Sequence, residues 1–219
     1  MSAMPILGER VDVEGRPAAY GRSTYEELIR QIINTRAEKC GSDQAKAKER
    51  ANAVIGWLNE TDFYNAPAST QFHEAYPHGL LSHSLRVYNE MCDLIKIPKF
   101  SSVDVQSAAL VCLVHDWCKI GYYVPYLRNV KNEQTGKWEQ VQAYRTNDDI
   151  QYPFGHGETS MYLAMHQFKL TKDEALAIRW HMGRWRVDSN ELKELCVANE
   201  QYPLVHLLQF SDQLACVKY

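Results

Sequence analysis

Apolar residues recur at three- and four-residue spacing along most of the chain, which is the pattern of helices that bury one face. Capping boxes, formed by Thr24 with Glu27 and by Thr171 with Glu174, mark two of the helix starts. The pattern predicts about eight helices, which start at or near Thr24, Ser42, Gly79, Ser102, His156, Thr171, Leu192 and Pro203. We therefore expect an all-α fold, a helical bundle.

Two stretches depart from the helical pattern. In residues 126–144, β-favouring residues lie on both sides of Gln134-Thr135-Gly136, which predicts one small β-hairpin inserted into the bundle. Residues 1–22 contain several prolines and glycines without sustained periodicity, so we expect an N-terminal arm there. Residues 23–219 are expected to form a single domain.

Three of the predicted helices carry an ionisable residue on an apolar face. These residues are His83, the adjacent pair His115 and Asp116, and Asp212. A single buried histidine is most often a hydrogen-bonded core residue, but burying four such groups is costly unless something binds them. Successive side chains of a helix point about 100° apart, so His115 and Asp116 can share one ion only near a helix end.

The four residues therefore predict a metal site. Two imidazoles and two carboxylates favour a divalent transition metal, namely Mn, Fe, Ni, Co or Zn, with Mg kept as an alternative. An all-oxygen set of ligands would instead have indicated Mg or Ca.

In this order on helices, the four residues resemble the H…HD…D signature of the HD-domain metal-dependent phosphohydrolases. The stretches Phe72-His73-Glu74-Ala75-Tyr76 and Gly79-Leu80-Leu81-Ser82-His83 resemble the aromatic-rich approach to that family's first histidine, and His115-Asp116-Trp117-Cys118-Lys119 resembles its H-D-x-x-K segment. Cys118 stands where the family commonly has a glycine, and His78 stands where a glycine pair is common. The resemblance covers about residues 63–216 and implies an HD-domain-like bundle.

The resemblance also implies a ligand set and catalytic residues. In the two-metal branch of the family, Asp116 would bridge two ions, with His83, His115 and Asp212 on one ion and His156 and His181 on the other. The alternative is that His156 and His181 line the pocket and bind phosphate without a second ion. The expected catalytic residues are Asp116, Lys119 and His156.

Four cations are candidates for binding the substrate. Lys119 and Arg86 lie near the proposed ligands in sequence, and the alternative for Lys119 is an ordinary solvated lysine. Arg184 lies in the segment from Trp180 to Arg186, which either stacks a base and pairs a phosphate or is an ordinary helix end. Arg145 belongs to the predicted hairpin, which is either a flap over the pocket or an exposed ribbon.

The remaining histidines and the cysteines carry weaker signals. We expect His166 and His206 to face away from the site, while a pocket-lining position for His73 and His78 stays open. Glu158 is expected to be a helix-start carboxylate. The cysteines contain no C-x-x-C pair, so free thiols are favoured over disulfides. Cys118 is expected to be a small helix-end residue, and the alternative is that it contacts the site.

Composition narrows the function. The chain has 219 residues, 45% of them hydrophobic, which is enough for one core, and its net charge of −3 gives no footprint for duplex DNA or acidic lipid. No apolar run approaches the ~20 residues of a membrane span and no signal segment is evident, so we expect a cytoplasmic protein without a membrane partner.

We therefore expect a metal-dependent phosphohydrolase that cleaves a phosphoester of a nucleotide with a metal-activated water. The alternatives are a 3′-5′ exonuclease on single-stranded RNA or DNA, a non-catalytic metal-bound module that senses or binds a nucleotide, and a structural helical protein. The N-terminal arm is compatible with a homodimer.

Overall fold

Eight α-helices and one two-stranded antiparallel sheet make up the part of the chain that the computed structural model describes, residues 18–185 and 187–217. The helices are α1 Ala18–Lys39, α2 Gln44–Asn59, α3 Gly79–Leu94, α4 Val105–Val114, α5 His156–Gln167, α6 Lys172–Trp180, α7 Ser189–Gln201 and α8 Pro203–Ala215. The strands are β1 Tyr123–Lys131 and β2 Trp138–Thr146. The prediction of a mostly helical fold with one hairpin is confirmed.

Two helices begin later than predicted, because an aspartate caps each of them. The Asp43 carboxylate accepts a hydrogen bond from the backbone N–H of Ala45, so α2 starts after Asp43 rather than at Ser42. The Asp104 carboxylate accepts from two backbone N–H groups at the start of α4, and the predicted cap Ser102 lies outside the helix. Val105, the first residue of α4, is 43% exposed beside this cap.

Two other helices are longer than predicted. The first described residue, Ala18, already belongs to α1, so Thr24 lies inside the helix and does not cap it. Of the expected arm, residues 18–22 are helical and residues 1–17 lie outside the described part of the chain. Helix α7 starts from a capping box of Asp188 with Glu191, whereas the box of Thr171 with Glu174 caps α6 as predicted.

Helix α4 forms the centre of the core. Its residues from Ala108 to Val114 are fully buried, as expected of a helix that is apolar on all sides. Helices α1, α3, α6 and α8 pack around it. The Tyr25 hydroxyl on α1 donates to the carbonyl of Leu113 at 2.7 Å and accepts from the Trp117 indole at 3.1 Å. These two bonds fix the end of α4, from which His115 and Asp116 follow.

The hairpin leaves the helical body as a ribbon. Its register pairs Tyr123 with Thr146 at the base and Lys131 with Trp138 near the turn. Most of its residues are exposed, but Tyr144 near the base is buried. Below the base, the Asn147 backbone N–H donates to the carbonyl of Tyr122 at 2.8 Å, which ties the ribbon to the segment that follows the central helix.

The six cysteines are all free, as predicted. Three of them, Cys92, Cys112 and Cys118, are buried. None of the described helices combines the length and the apolar content that crossing a membrane requires.

Candidate metal centre

Six predicted ligands come together from five helices and one connecting segment. All six lie beside the same interior space. Five of them lie within a helix or at a helix end, and the sixth lies in the segment that follows α4. They are His83 within α3, His115 at the end of α4, Asp116 directly after it, His156 at the start of α5, His181 at the end of α6 and Asp212 within α8.

Four of these residues form what we call the first cluster: His83, His115, Asp212 and the Oδ2 atom of Asp116. His83 Nε2 lies 3.0 Å from Asp212 Oδ1 and 3.4 Å from Asp116 Oδ2. His115 Nε2 lies 3.3 Å from His83 Nε2 and 3.4 Å from the same Asp116 oxygen. Both histidines are fully buried, so their rings face the other members of the cluster and not solvent.

The other oxygen of Asp116 faces a different pair of histidines, and we call this the second cluster: Asp116 Oδ1, His156, His181 and the neighbouring Cys118. Asp116 Oδ1 lies 3.0 Å from His156 Nε2 and 3.6 Å from His181 Nε2. His181 is 1% exposed, and its Nε2 atom has no hydrogen-bond partner among the described residues. A buried polar nitrogen without a partner is costly, and a bound cation would satisfy it.

Two histidines are held with one ring nitrogen turned towards the site. His115 Nδ1 lies 2.9 Å from the carbonyl of Cys112, and His181 Nδ1 lies 2.7 Å from the carbonyl of Ile178. In each case Nδ1–H donates to the carbonyl three residues earlier, which leaves Nε2 free as a metal ligand.

Asp116 can serve both clusters because the helix has ended before it. Its backbone angles, φ −107° and ψ 18°, lie in the sparsely populated bridge region, and a short 3-10 turn, Trp117–Lys119, follows. This turn lets His115 and Asp116 converge, which two neighbours within a regular helix could not do.

Charges around the clusters shift the pKa values of the ligands. Burial raises the pKa of the Asp116 carboxyl, but Lys119, whose Nζ lies 2.6 Å from Oδ2, and His115 hold it well below its usual range. Burial lowers the pKa of His83, yet its contacts with Asp212 and Glu74 raise it to about 9. The pKa of Lys119 lies above its ordinary value, since Asp116 more than offsets the effect of burial.

Glu74 orients the first cluster and was missed by the sequence reasoning. Its Oε2 atom lies 3.5 Å from His83 Nδ1, and its Oε1 atom accepts from Arg86 at 2.8 Å. A second donor of Arg86 reaches the carbonyl of Val217 at 3.1 Å. Arg86 is thus committed to Glu74 and does not line the cavity, in contrast to its predicted role in binding substrate. The available sequence signal was a glutamate inside the aromatic-rich approach to His83.

A cavity of about 790 Å³ opens beside the two clusters. Its wall includes Asp116, Lys119, His156, His181 and Asp212, while His83 and His115 lie behind it. Seven aromatic residues also line it: Phe72, Tyr122, Tyr123, Tyr152, Phe154, Trp180 and Trp185. The cavity is therefore polar at its base and aromatic around it.

The predicted substrate cations differ in their positions. Lys119 is buried and lines the cavity. Arg145 forms an exposed ion pair with Asp148 at 2.6 Å, and Arg184 is exposed after α6; neither lines the cavity. Arg186 lies outside the described residues. Of the hairpin strands, only Tyr123 and Thr146 at the base line the cavity, so the charged end of the ribbon does not cover it.

The arginine that does line the cavity is Arg179, which the sequence reasoning did not select. Its guanidinium pairs with Glu158 at 2.5 Å and with Glu191 at 2.7 Å, and it stacks on the ring of Trp180 at 3.9 Å. Glu158 is the helix-start carboxylate that we expected, and Arg179 is its partner. The sequence signal for this arrangement was the capping box of α7, which fixes the position of Glu191 and which we did not predict.

The other histidines are placed outside the two clusters. His73 lines the cavity with its ring 4.7 Å from that of His83, and burial and the His83 charge lower its pKa to about 4. His78 lies 2.7 Å from the carbonyl of Tyr64 and does not line the cavity. His166 is exposed and His206 stacks on Phe210, both away from the cavity as expected.

The donors present fit a metal ion. Three groups of buried or half-buried side chains have ligand atoms within 4.8 Å of one another: His83 with His115 and Asp116, Asp116 with Cys118 and His156, and His73 with His83 and Cys216. Buried histidine and aspartate groups of this chain could therefore bind a metal ion. Comparisons with protein-family models, with curated proteins and with solved structures found no match to this chain.

Proposed function

We propose that this protein is a metal-dependent phosphohydrolase of the HD-domain type, which hydrolyses a phosphoester of a nucleotide. The observation that supports this most directly is the placement of Asp116. Asp116 lies in the wall of the cavity, and its two carboxylate oxygens face separate pairs of histidines. A purely structural helical protein would have no use for such a costly arrangement of buried charges.

The two clusters assign the residues that would hold the ions. His83, His115 and Asp212 would hold one ion, His156 and His181 would hold the other, and Asp116 could offer one oxygen to each. Ions held in this way lower the pKa of water and neutralise the charge of phosphoryl oxygens.

Lys119 and His156 present the polar groups of this chain to a substrate. The Lys119 ammonium lines the cavity and is anchored by Asp116, so it can bind a phosphoryl oxygen as a fixed point charge. The His156 ring is 26% exposed at the cavity wall, and its Nε2 is directed at Asp116. These contacts support the catalytic assignment of Asp116, Lys119 and His156.

The cavity supports a nucleotide as the substrate. A volume of about 790 Å³ lies within the range of sites for small organic ligands. The aromatic side chains of the wall offer faces on which a base can stack, and the net charge of −3 disfavours long nucleic acids.

One observation favours a second candidate, hydrolysis at the end of a single strand of RNA or DNA. Phe72 is 80% exposed, Phe154 56% and Trp185 52%, and all three lie around the cavity. Exposed aromatic residues of this kind stack successive bases of a single strand.

The proposal is tested by metal analysis followed by a substrate panel. Protein purified without chelator is analysed for metals by mass spectrometry and assayed on nucleotides, cyclic nucleotides and short oligonucleotides with added Mn²⁺ or Ni²⁺. We expect bound metal, phosphoester hydrolysis, and loss of both in His115→Ala. The matched control is His166→Ala, an exposed histidine outside the cavity.

Three outcomes are decisive. Metal and nucleotide binding without turnover on any substrate would assign a non-catalytic nucleotide-binding module. Turnover of oligonucleotides alone would assign the exonuclease. A protein without metal, whose stability is unchanged in His115→Ala, would overturn the metal site itself.

A further inference from the structure

Cys118 belongs to the second cluster by its position. Its Sγ atom lies 3.3 Å from His156 Nε2 and 3.4 Å from His156 Nδ1. It also lines the same cavity, although it is only 8% exposed. Its backbone N–H donates to the Ser160 hydroxyl at 3.0 Å, which ties the 3-10 turn to α5 and fixes the thiol beside the histidine.

We propose that the Cys118 thiolate is a ligand of the ion in the second cluster. This cluster would then be a site of one cysteine, two histidines and one aspartate, built for zinc or another ion that favours sulfur. The inference rests on the proposed function only in that it takes the second cluster as a metal site.

The spacing of the donor atoms agrees with such a shell. Four bonds of about 2.0 to 2.3 Å, directed to the corners of a tetrahedron, place neighbouring donors about 3.3 to 3.7 Å apart. The separations here are 3.3 Å from Cys118 Sγ to His156 Nε2, 3.0 Å from His156 Nε2 to Asp116 Oδ1 and 3.6 Å from Asp116 Oδ1 to His181 Nε2. Asp116, Cys118 and His156 thus offer ligand atoms that all lie within 4.8 Å of one another, and His181 joins this set through its 3.6 Å contact with Asp116 Oδ1.

His181 gives an independent indication of a ligand. Its Nε2 atom is buried and has no hydrogen-bond partner among the described residues, and its distance from Asp116 is too long for a hydrogen bond. Its other nitrogen is held by a backbone carbonyl. The free nitrogen and the sulfur thus belong to one group of four donors, each of which lies within 3.6 Å of at least one other member.

The inference gives the two clusters different chemistry. The first cluster has two imidazoles and two carboxylates, which also suit manganese or iron. The second would add a thiolate, a soft ligand that favours zinc and cobalt. On binding, the thiol proton of Cys118 leaves to solvent and the sulfur lone pair forms the bond to the ion. Cys118 would then contribute one negative charge to the ion, and Asp116, which also contacts Lys119 and the first cluster, would share its charge between the two sites.

The test is spectroscopic and does not depend on activity. Protein freed of metal is titrated with Co²⁺, and we expect a thiolate-to-cobalt charge-transfer band in the near ultraviolet. The band should be lost in Cys118→Ser and retained in Cys216→Ser. Cys216 is the matched control because it also lines the cavity and lies near His83 in another potential metal group.

A second measurement needs no variant. X-ray absorption of the zinc-loaded protein should show sulfur bound at about 2.3 Å, in addition to nitrogen and oxygen near 2.0 Å.

Ions bound by nitrogen and oxygen alone, or a cobalt band that Cys216→Ser removes, would overturn the assignment of Cys118 and leave the proposed hydrolase intact. A cobalt band without hydrolysis of any substrate would support Cys118 and count against the hydrolase, and failure to bind any metal would overturn both.

Discussion

The single carboxylate of Asp116 interacts with a lysine and four histidines at once. Lys119 contacts one of its oxygens, two histidines lie near that same oxygen, and two more lie near the other. Because the residue is only 2% exposed, each of these interactions acts in a poorly screened environment. A change of its charge therefore affects both clusters and Lys119 together.

We predict that Asp116→Asn loses metal at both clusters. Loss of an outer partner of a ligand typically costs 10- to 100-fold in metal affinity, so loss of a shared ligand should cost at least about 100-fold. The buried Lys119 ammonium would also lose its partner, which should destabilise the metal-free protein by about 3 to 5 kcal/mol. Metal content and urea unfolding measure the two effects.

The matched control is Asp148→Asn. Asp148 pairs with Arg145 on the surface, so its loss should change the free energy of unfolding by less than about 1 kcal/mol and leave metal content unaltered. If Asp116→Asn and Asp148→Asn had equal effects on metal content and on the free energy of unfolding, Asp116 would not be a ligand shared by the two clusters.

The pKa values of two histidines predict the pH dependence of stability in the chelated protein. The pKa of His83 is raised to about 9, so its contribution is complete below pH 6.5 and is lost as the pH rises through 9. The pKa of His73 is lowered to about 4, so stability also falls as the pH drops from 6.5 towards 4. Maximum stability is therefore expected near pH 6.5.

Urea unfolding at intervals between pH 4 and pH 9 measures this profile. The loss on the alkaline side should reach about 3 kcal/mol, and His83→Gln should remove most of it. Unfolding free energies that increase from pH 6.5 to pH 9 would contradict the assignment.

At the scale of elements, the second cluster depends on how closely α5 packs against α6. Gly157, next to His156, lies so close to the backbone carbonyl of Arg179 that an added Cβ would collide with it. His181 follows α6 only two residues after Arg179. Because Gly157 has no side chain, α5 can approach α6 closely enough for His156 to lie beside His181.

We predict that Gly157→Ala separates these two helices and removes the ion of the second cluster. Overpacking of this kind costs about 1 to 3 kcal/mol in the free energy of unfolding. The first cluster, which contains no residue of α5 or α6, should keep its metal. Metal stoichiometry and urea unfolding provide the measurements.

Gly56→Ala serves as the control for this substitution. Gly56 lies within α2 with open space around it, so alanine should stabilise the protein by up to about 1 kcal/mol. A Gly157→Ala protein with two ions and wild-type stability would show that the close approach is not required.

The start of a helix was predictable where the sequence contained only one candidate capping residue. The box of Thr171 with Glu174 gave the start of α6 correctly. Near Ser42 and Ser102 the chain also has an aspartate within two residues, and its carboxylate is the group that accepts the backbone N–H bonds. Helix α7 was predicted too short because only Leu195 and Ala198 of its side chains are buried.

At the scale of the whole molecule, the candidate ligands come from helices distant in sequence, so a bound ion would hold these helices together. An ion that binds the folded chain alone stabilises it by about 4 kcal/mol at a concentration 1,000 times its dissociation constant. We predict that chelation lowers the thermal midpoint and that Mn²⁺ or Zn²⁺ restores it. Differential scanning calorimetry with and without chelator measures the shift.

The same shift should occur in His166→Ala and be absent or much reduced in His115→Ala. His166 is exposed, whereas His115 is fully buried in the first cluster. A chelator effect that is unchanged in His115→Ala would place the stabilising ion elsewhere.

The convergence of the candidate ligands was predictable from sequence, and the arginine that lines the cavity was not. An ionisable residue such as His83 on an apolar helical face is conspicuous, since burial leaves few alternatives for it. The choice between Arg179 and Arg184 depends on how the end of α6 packs against α7, which local pattern does not specify. Glu74 likewise depends on a tertiary contact with Arg86.

The order of the ligands along the chain has a consequence for biosynthesis. All residues of the second cluster are translated before Asp212, which lies on α8, the helix that also packs against α3, α4 and α6. A nascent polypeptide therefore offers a complete donor set to one cation while the other site still lacks its final carboxylate. Folding of the last helix closes the core and completes that site in the same event.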